Sequence, residues 1–152
     1  ARHDDLERII ATFTLAGVPC KLSANIQADL WSKLVMNCAY NALSAIAQCT
    51  YGAATKNPAS RDVIAETARE AIAVAHASGV NGLPADLLER CVKLGDTMPQ
   101  AISSTSQDVA RHKHTEIDAL NGVIIRRGRQ FGVPTPVNHT LAAIVKLIEE
   151  KF

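Results

Sequence analysis

The stretch Leu30–Gln48, LWSKLVMNCAYNALSAIAQ, decides the fold. It is apolar on nearly every side, through Leu30, Trp31, Leu34, Val35, Met36, Cys38, Ala39, Tyr40, Ala42, Leu43, Ala45, Ile46 and Ala47. A helix apolar all round belongs inside a core. Within it Lys33, Asn37, Asn41, Ser44 and Gln48 recur at steps of four, four, three and four. With about 3.6 residues per turn, that spacing stacks them into one stripe. The pattern predicts a buried central helix carrying a single polar seam. An unpaired buried neutral group costs about 1–3 kcal/mol, and a charge more, so the seam needs partners. Ser44 and Gln48 are expected to bond neighbouring helices or to face a groove. Lys33, Asn37 and Asn41 fit a cleft wall better, because one cation beside two amides suits a small carboxylate or carbonyl ligand.

At 152 residues the chain has the length of one domain. A hydrophobic content of 47% argues against disorder. The 16 Lys and Arg nearly balance the 15 Asp and Glu, and no basic run is interleaved with aromatics, which argues against a nucleic-acid surface. No apolar run approaches the ~20 residues of a membrane span, and no basic-then-apolar secretory start is present. A cytoplasmic protein is the expectation. Cys20, Cys38, Cys49 and Cys91 show no CxxC pair or zinc spacing, so reduced thiols and no metal are expected. The first residue, Ala1, points to a processed chain or a piece of a longer one.

Working outward, Asp4 and Asp5 open a short amphipathic helix through Leu6, Ile9, Ile10, Phe13 and Leu15, stopped by Gly17 and Pro19. Cys20 to Ser23 reads as an extended lead into the central helix. Cys49 to Pro58 reads as a loop ending in an Asn57-Pro58 turn. A helix capped by Ser60 follows, burying Val63, Ile64, Ala68, Ala71, Ile72 and Ala75 and ending at Gly79. Pro84 to Leu94 is a further helix. Thr97 to His114 is polar and reads as a connection, with Ser104 able to cap a short helix around Ser106 to Ala110. Ile117, Leu120, Ile124, Ile125 and Phe131 mark a helix from about Thr115 to Phe131, and Val137 to Phe152 forms the last. No strand, repeat or low-complexity tract is read. The fold class is all-α, a compact multi-helix domain.

Two separated patches share a chemical character. One is Trp31, Lys33, Asn37 and Asn41. The other is Ser103-Ser104, Asp108, His114-Thr115-Glu116-Ile117-Asp118, Leu120-Asn121-Gly122 and the closing Thr135-Pro136-Val137-Asn138. Together they resemble the C-terminal domain of the ketopantoate reductase (2-dehydropantoate 2-reductase) family, over roughly Ile26 to the end. The resemblance implies a helical fold like the 6-phosphogluconate dehydrogenase C-terminal domain. It divides the chain into residues 1–25, the tail of a preceding inter-domain segment, and 26–152, the substrate domain. It implies reduction of a 2-keto acid with NADPH held mainly by an N-terminal Rossmann domain, and a possible homodimer. Lys33 matches the family's proton donor, and Asn37, Asn41 and Ser104 match substrate contacts. Glu116 matches an acidic catalytic residue that orients the lysine or binds nicotinamide ribose.

Simpler roles stand beside these. Glu116 could stabilise a helix N-terminus, worth ~0.3–1 kcal/mol. Asp118 and Asn121 fit local hydrogen bonding, Trp31 a core anchor, and His112 and His114 a surface or supporting role. Two departures from the family pattern matter. Some members place a further substrate-contacting Asn after the central helix, where this chain has Gln48 and Tyr51. No GxGxxG follows a strand, so the chain alone is expected to be inactive. The rivals are a reductase of another 2-keto acid and a non-catalytic helical dimerisation or interaction module.

Overall fold

The central helix forms as the spacing predicts, as the second of eight α-helices among the described residues: α1 (His3–Leu15), α2 (Ile26–Ala47), α3 (Tyr51–Lys56), α4 (Pro58–Ala77), α5 (Leu87–Thr97), α6 (Ser104–Ala110), α7 (Asn121–Phe131) and α8 (Pro136–Glu149). A 3-10 turn, Ile117–Ala119, precedes α7. The computed structural model describes residues 3–152, His3 by its backbone alone, and the described residues contain no strand. Asn25 starts α2 by accepting a hydrogen bond from Ala28 N–H. Gln48 ends it in the left-handed region, at φ 47°, with its N–H on Ser44 O.

The core grows from the small residues of α2. Val35, Cys38, Ala39 and Tyr40 pack with Ile64, Ala68, Ala71 and Val74 of α4 and with Leu87 and Cys91 of α5. Alanines on both α2 and α4 let the two backbones approach closely. A second cluster joins Ala42 to Ile117, Ile125, Leu141, Ala142 and Val145, bringing the 3-10 turn, α7 and α8 onto the same helix. Trp31 is a partial anchor. It is half-buried against the core, with the Arg127 guanidinium 5.6 Å from its ring centroid.

Several expected boundaries move, each for a local reason. The span read as a loop after Cys49 contains α3, because Thr50 accepts from Ala53 N–H and starts a turn. Asn57, not Ser60, caps α4. Its side chain accepts from the N–H groups of Ala59 and Ser60, and Pro58 fills the first position, where no N–H is needed. α5 begins at Leu87 rather than Pro84. The polar connection contains α6, capped by Ser103 rather than Ser104. The helix expected from Thr115 is broken at Leu120, whose φ of −103° and ψ of −104° lie outside the helical region.

Nor is α2 buried along its whole length. Ile26 and Leu30 are each 60% exposed, so only its middle and C-terminal turns are enclosed. α1 joins neither core cluster, and its Ile9, Phe13 and Leu15 lie in the open.

Candidate functional site

The seam on α2 has a bonded half and an open half. α6 lies across its C-terminal end. Ser103 Oγ is 2.7 Å from Ser44 Oγ and donates to Asn41 O at 3.5 Å, while Gln48 Nε2 donates to Ala45 O at 2.7 Å and Ser106 O at 3.4 Å. Ser103 also accepts from Ser106 N–H at 3.0 Å, so one hydroxyl both caps α6 and docks it. Toward the N-terminus the cover stops. Lys33 is exposed and Asn37 half-buried, and among the described residues neither side chain makes a hydrogen bond or ion pair. The seam is therefore graded, buried at Asn41 and open at Lys33. Leaving the ammonium at the surface spares it the desolvation that burial would impose.

Asn41, 3% exposed, sits where the two halves meet. Its Oδ1 accepts from the Tyr51 hydroxyl at 3.3 Å. Tyr51 in turn leans on Tyr40, with ring centroids 4.5 Å apart at 40°. The Tyr40 hydroxyl donates to Cys91 O at 2.9 Å and accepts from Gly95 N–H at 3.0 Å, which fixes the pair to α5. Gly95 has to be glycine, because a Cβ there would lie 2.6 Å from Tyr51 O and 2.5 Å from Thr55 Cγ2. Burial pushes the Tyr51 phenol above its ordinary range, so it stays a protonated donor at neutral pH.

Glu116 approaches α2 through its neighbours. It is exposed and has no internal side-chain partner among the described residues, while Ile117 beside it is fully buried in the cluster that holds Ala42. The segment is pinned from two sides. The Thr115 N–H and hydroxyl both donate to Glu149 Oε1 at 2.7 Å, and Lys146 Nζ reaches Glu149 Oε2 at 3.1 Å and Asp118 Oδ2 at 2.8 Å. Burial opposes charge on Glu149, but the Thr115 and Lys146 contacts outweigh it and hold the carboxyl below its ordinary range.

On the other side Asn121 Nδ2 donates to Cys38 O at 3.3 Å and to Asn138 Oδ1 at 3.0 Å. Asn138 Nδ2 donates to Thr67 O and to Glu70 Oε2, and the Glu70 carboxylate accepts from the Val137 and Asn138 N–H groups that open α8. Asn121 thus serves a long-range clamp through α2, α7, α8 and α4, not the local role expected from its motif. His114 is a surface residue, its side chain 80% exposed with Nδ1 3.8 Å from Glu149 Oε2. His112 stacks on Phe152 at 5.4 Å.

Lys33, Asn37 and Asn41 therefore share one stripe, and Ser104, exposed at the start of α6, lies next to the serine that docks on it. No direct bond joins Lys33, Ser104 and Glu116 to one another among the described residues. Ser103 and Tyr51 were missed as supporting residues. The spacing from Ser103 to Ser106 offers a cap signal, but nothing in the sequence marks a hydroxyl ten positions beyond Asn41 as its partner.

The described residues thus form a helical domain without strands, with an exposed ammonium and a half-buried amide on its central helix beside an amide already held in place. Residues 25–149 match the family described as ketopantoate reductase PanE/ApbA C terminal, and the chain belongs to that family. The 2-dehydropantoate 2-reductase of Vibrio cholerae is 35% identical over 144 residues, covering 95% of this chain and 48% of the relative. That of Escherichia coli O157:H7 is 36% identical over 128 residues, covering 84% and 41%. The crystal structure of a PanE/ApbA family ketopantoate reductase from Ralstonia eutropha JMP134 superposes with a TM-score of 0.91 at 47% identity, covering 95% of this chain and 48% of that one. A D-mandelate dehydrogenase shares the fold, with a TM-score of 0.88 at 24% identity. The chain spans about half the length of the curated relatives it matches.

Proposed function

We propose that this chain is the substrate-side domain of an NADPH-dependent 2-dehydropantoate 2-reductase, with residues 26–152 as the domain and 1–25 as the segment entering it. The observation that carries the reading is the open half of the seam. An ammonium and an amide with no internal partner stand beside a third polar residue that is held in place. A 2-keto acid presents a carboxylate and a keto oxygen, both hydrogen-bond acceptors, and an ammonium offers only donors. Lys33 holds the keto oxygen and gives it a proton as negative charge develops there, since an ammonium is a competent acid toward an alkoxide. Asn37 and Asn41, one and two turns along, orient the remainder of the substrate, and Ser104 adds a hydroxyl from the start of α6.

The described residues contain no strand followed by a glycine-rich turn, so the dinucleotide's main site belongs to a Rossmann domain outside them. The nicotinamide, when bound, supplies the hydride. Of this chain's residues, Glu116 suits that end of the cofactor. It is an exposed carboxylate without an internal partner, able to accept from a ribose hydroxyl or to steady the Lys33 ammonium. Without the second domain the chain is inactive, because clefts of this kind form between domains.

A second reading is favoured by one observation: Tyr51, not an asparagine, meets Asn41, which fits a 2-keto acid with a different tail. The test is the full-length protein, assayed for NADPH oxidation with ketopantoate and a panel of 2-keto acids. Preference for ketopantoate supports the first reading, preference for another member the second, and no turnover with any of them removes both.

A further inference from the structure

We infer that Tyr51 is a positioning residue for ligand recognition: by donating to Asn41 Oδ1, its hydroxyl fixes which way the amide is turned, so that Nδ2, the end with no protein partner among the described residues, is the one left for a ligand. The inference rests on the proposed 2-keto acid site and deepens it. A free asparagine can present either its oxygen or its nitrogen. Here the oxygen end is engaged at 3.3 Å by a phenol that is itself fixed, leaning on Tyr40, whose hydroxyl is bonded to Cys91 O and Gly95 N–H. The Asn41 backbone is held independently, its carbonyl accepting from Ser44 and Ser103. The amide nitrogen is the end left without a protein partner among the described residues.

The consequence is a sorting of roles along the seam. Lys33 and Asn41 both offer donors, matching the carboxylate and keto oxygen of a 2-keto acid. Asn37, with neither amide end engaged among the described residues, is the member of the stripe whose amide can accept from a ligand hydroxyl.

The test uses the full-length protein and two near-isosteric variants. Tyr51→Phe keeps the ring against Tyr40 and removes only the hydroxyl. Its KM for the preferred 2-keto acid should rise about 3- to 10-fold, the size of one net hydrogen bond, with kcat within about twofold. Calorimetry with the 2-hydroxy acid product should show the same loss of affinity. Asn41→Asp keeps an acceptor for Tyr51 but removes both donors, and should weaken binding on the order of 30-fold or more. Thermal denaturation within about 2 °C of wild type would separate positioning from a fold defect. An active wild type whose Tyr51→Phe variant keeps its KM and product affinity, or whose Asn41→Asp variant binds normally, overturns this inference alone. A wild type that reduces no 2-keto acid overturns the proposed function and this inference with it.

Discussion

Tyr51, Tyr40 and Gly95 show how much of this site depends on single side chains fitting one another. Adding a methyl at Gly95 drives it into the Tyr51 carbonyl and the Thr55 side chain, at 2.6 and 2.5 Å. Gly95→Ala should therefore destabilise the domain by about 1–3 kcal/mol, as overpacking does. Chemical denaturation measures the loss, and an unchanged midpoint would mean the α3–α5 contact yields. The stripe of Lys33, Asn37 and Asn41 was legible in the sequence because helical periodicity fixes which residues share a face. Its supporting residues were not. Whether Ser103 or Ser104 caps α6 depends on where the chain turns, and the bond from Tyr51 to Asn41 exists only because α3 folds the chain back.

At the scale of elements, two carboxylates fasten helix ends that the site relies on. Glu70 of α4 accepts from the Val137 and Asn138 N–H groups at the start of α8, doing from a distance what an N-cap does locally. Glu70→Ala should cost about 1–3 kcal/mol of unfolding free energy in urea titration. A cost near zero would show that solvent replaces it.

Glu149 fastens the other end of α8 to Thr115, next to Glu116. Its carboxyl is held below the ordinary value of about 4.3, so it stabilises the fold above that pH, and the contribution is lost as pH falls through the lowered value. Glu149→Gln should lower Tm at pH 7, and the gap from wild type should shrink as the pH drops below 4. A gap of constant size would contradict the linkage. Long elements such as α2, α4 and α8 were legible from their apolar repeat. The six-residue α3 was too short to show one, and the break at Leu120 hid inside a repeat that continues across it.

Across the whole molecule, the all-helical class followed from composition and periodicity, and the division into bonded and open surfaces did not. Ile9, Phe13, Leu15, Val18, Leu22, Ile26 and Leu30 are all 46% or more exposed, running from α1 into the first turns of α2. A partner-binding face presents exposed apolar side chains of this kind, and a domain-domain contact buries about 600–1,500 Å². The 152-residue chain on its own should self-associate in sedimentation with rising concentration, and a longer form carrying the proposed Rossmann domain should do so less through this face. A strictly monomeric chain would argue against an interface here.

All of these scales converge on Lys33, the exposed cation at the open end of a seam that is bonded from Asn41 onward. The most direct measurement is steady-state NADPH oxidation by the full-length protein and its Lys33→Ala variant, with the preferred 2-keto acid. Loss of general-acid catalysis predicts a fall in kcat of about 10²–10⁴-fold in the variant, with its fold intact. Turnover near the wild-type rate would contradict the assignment of Lys33 as the proton donor.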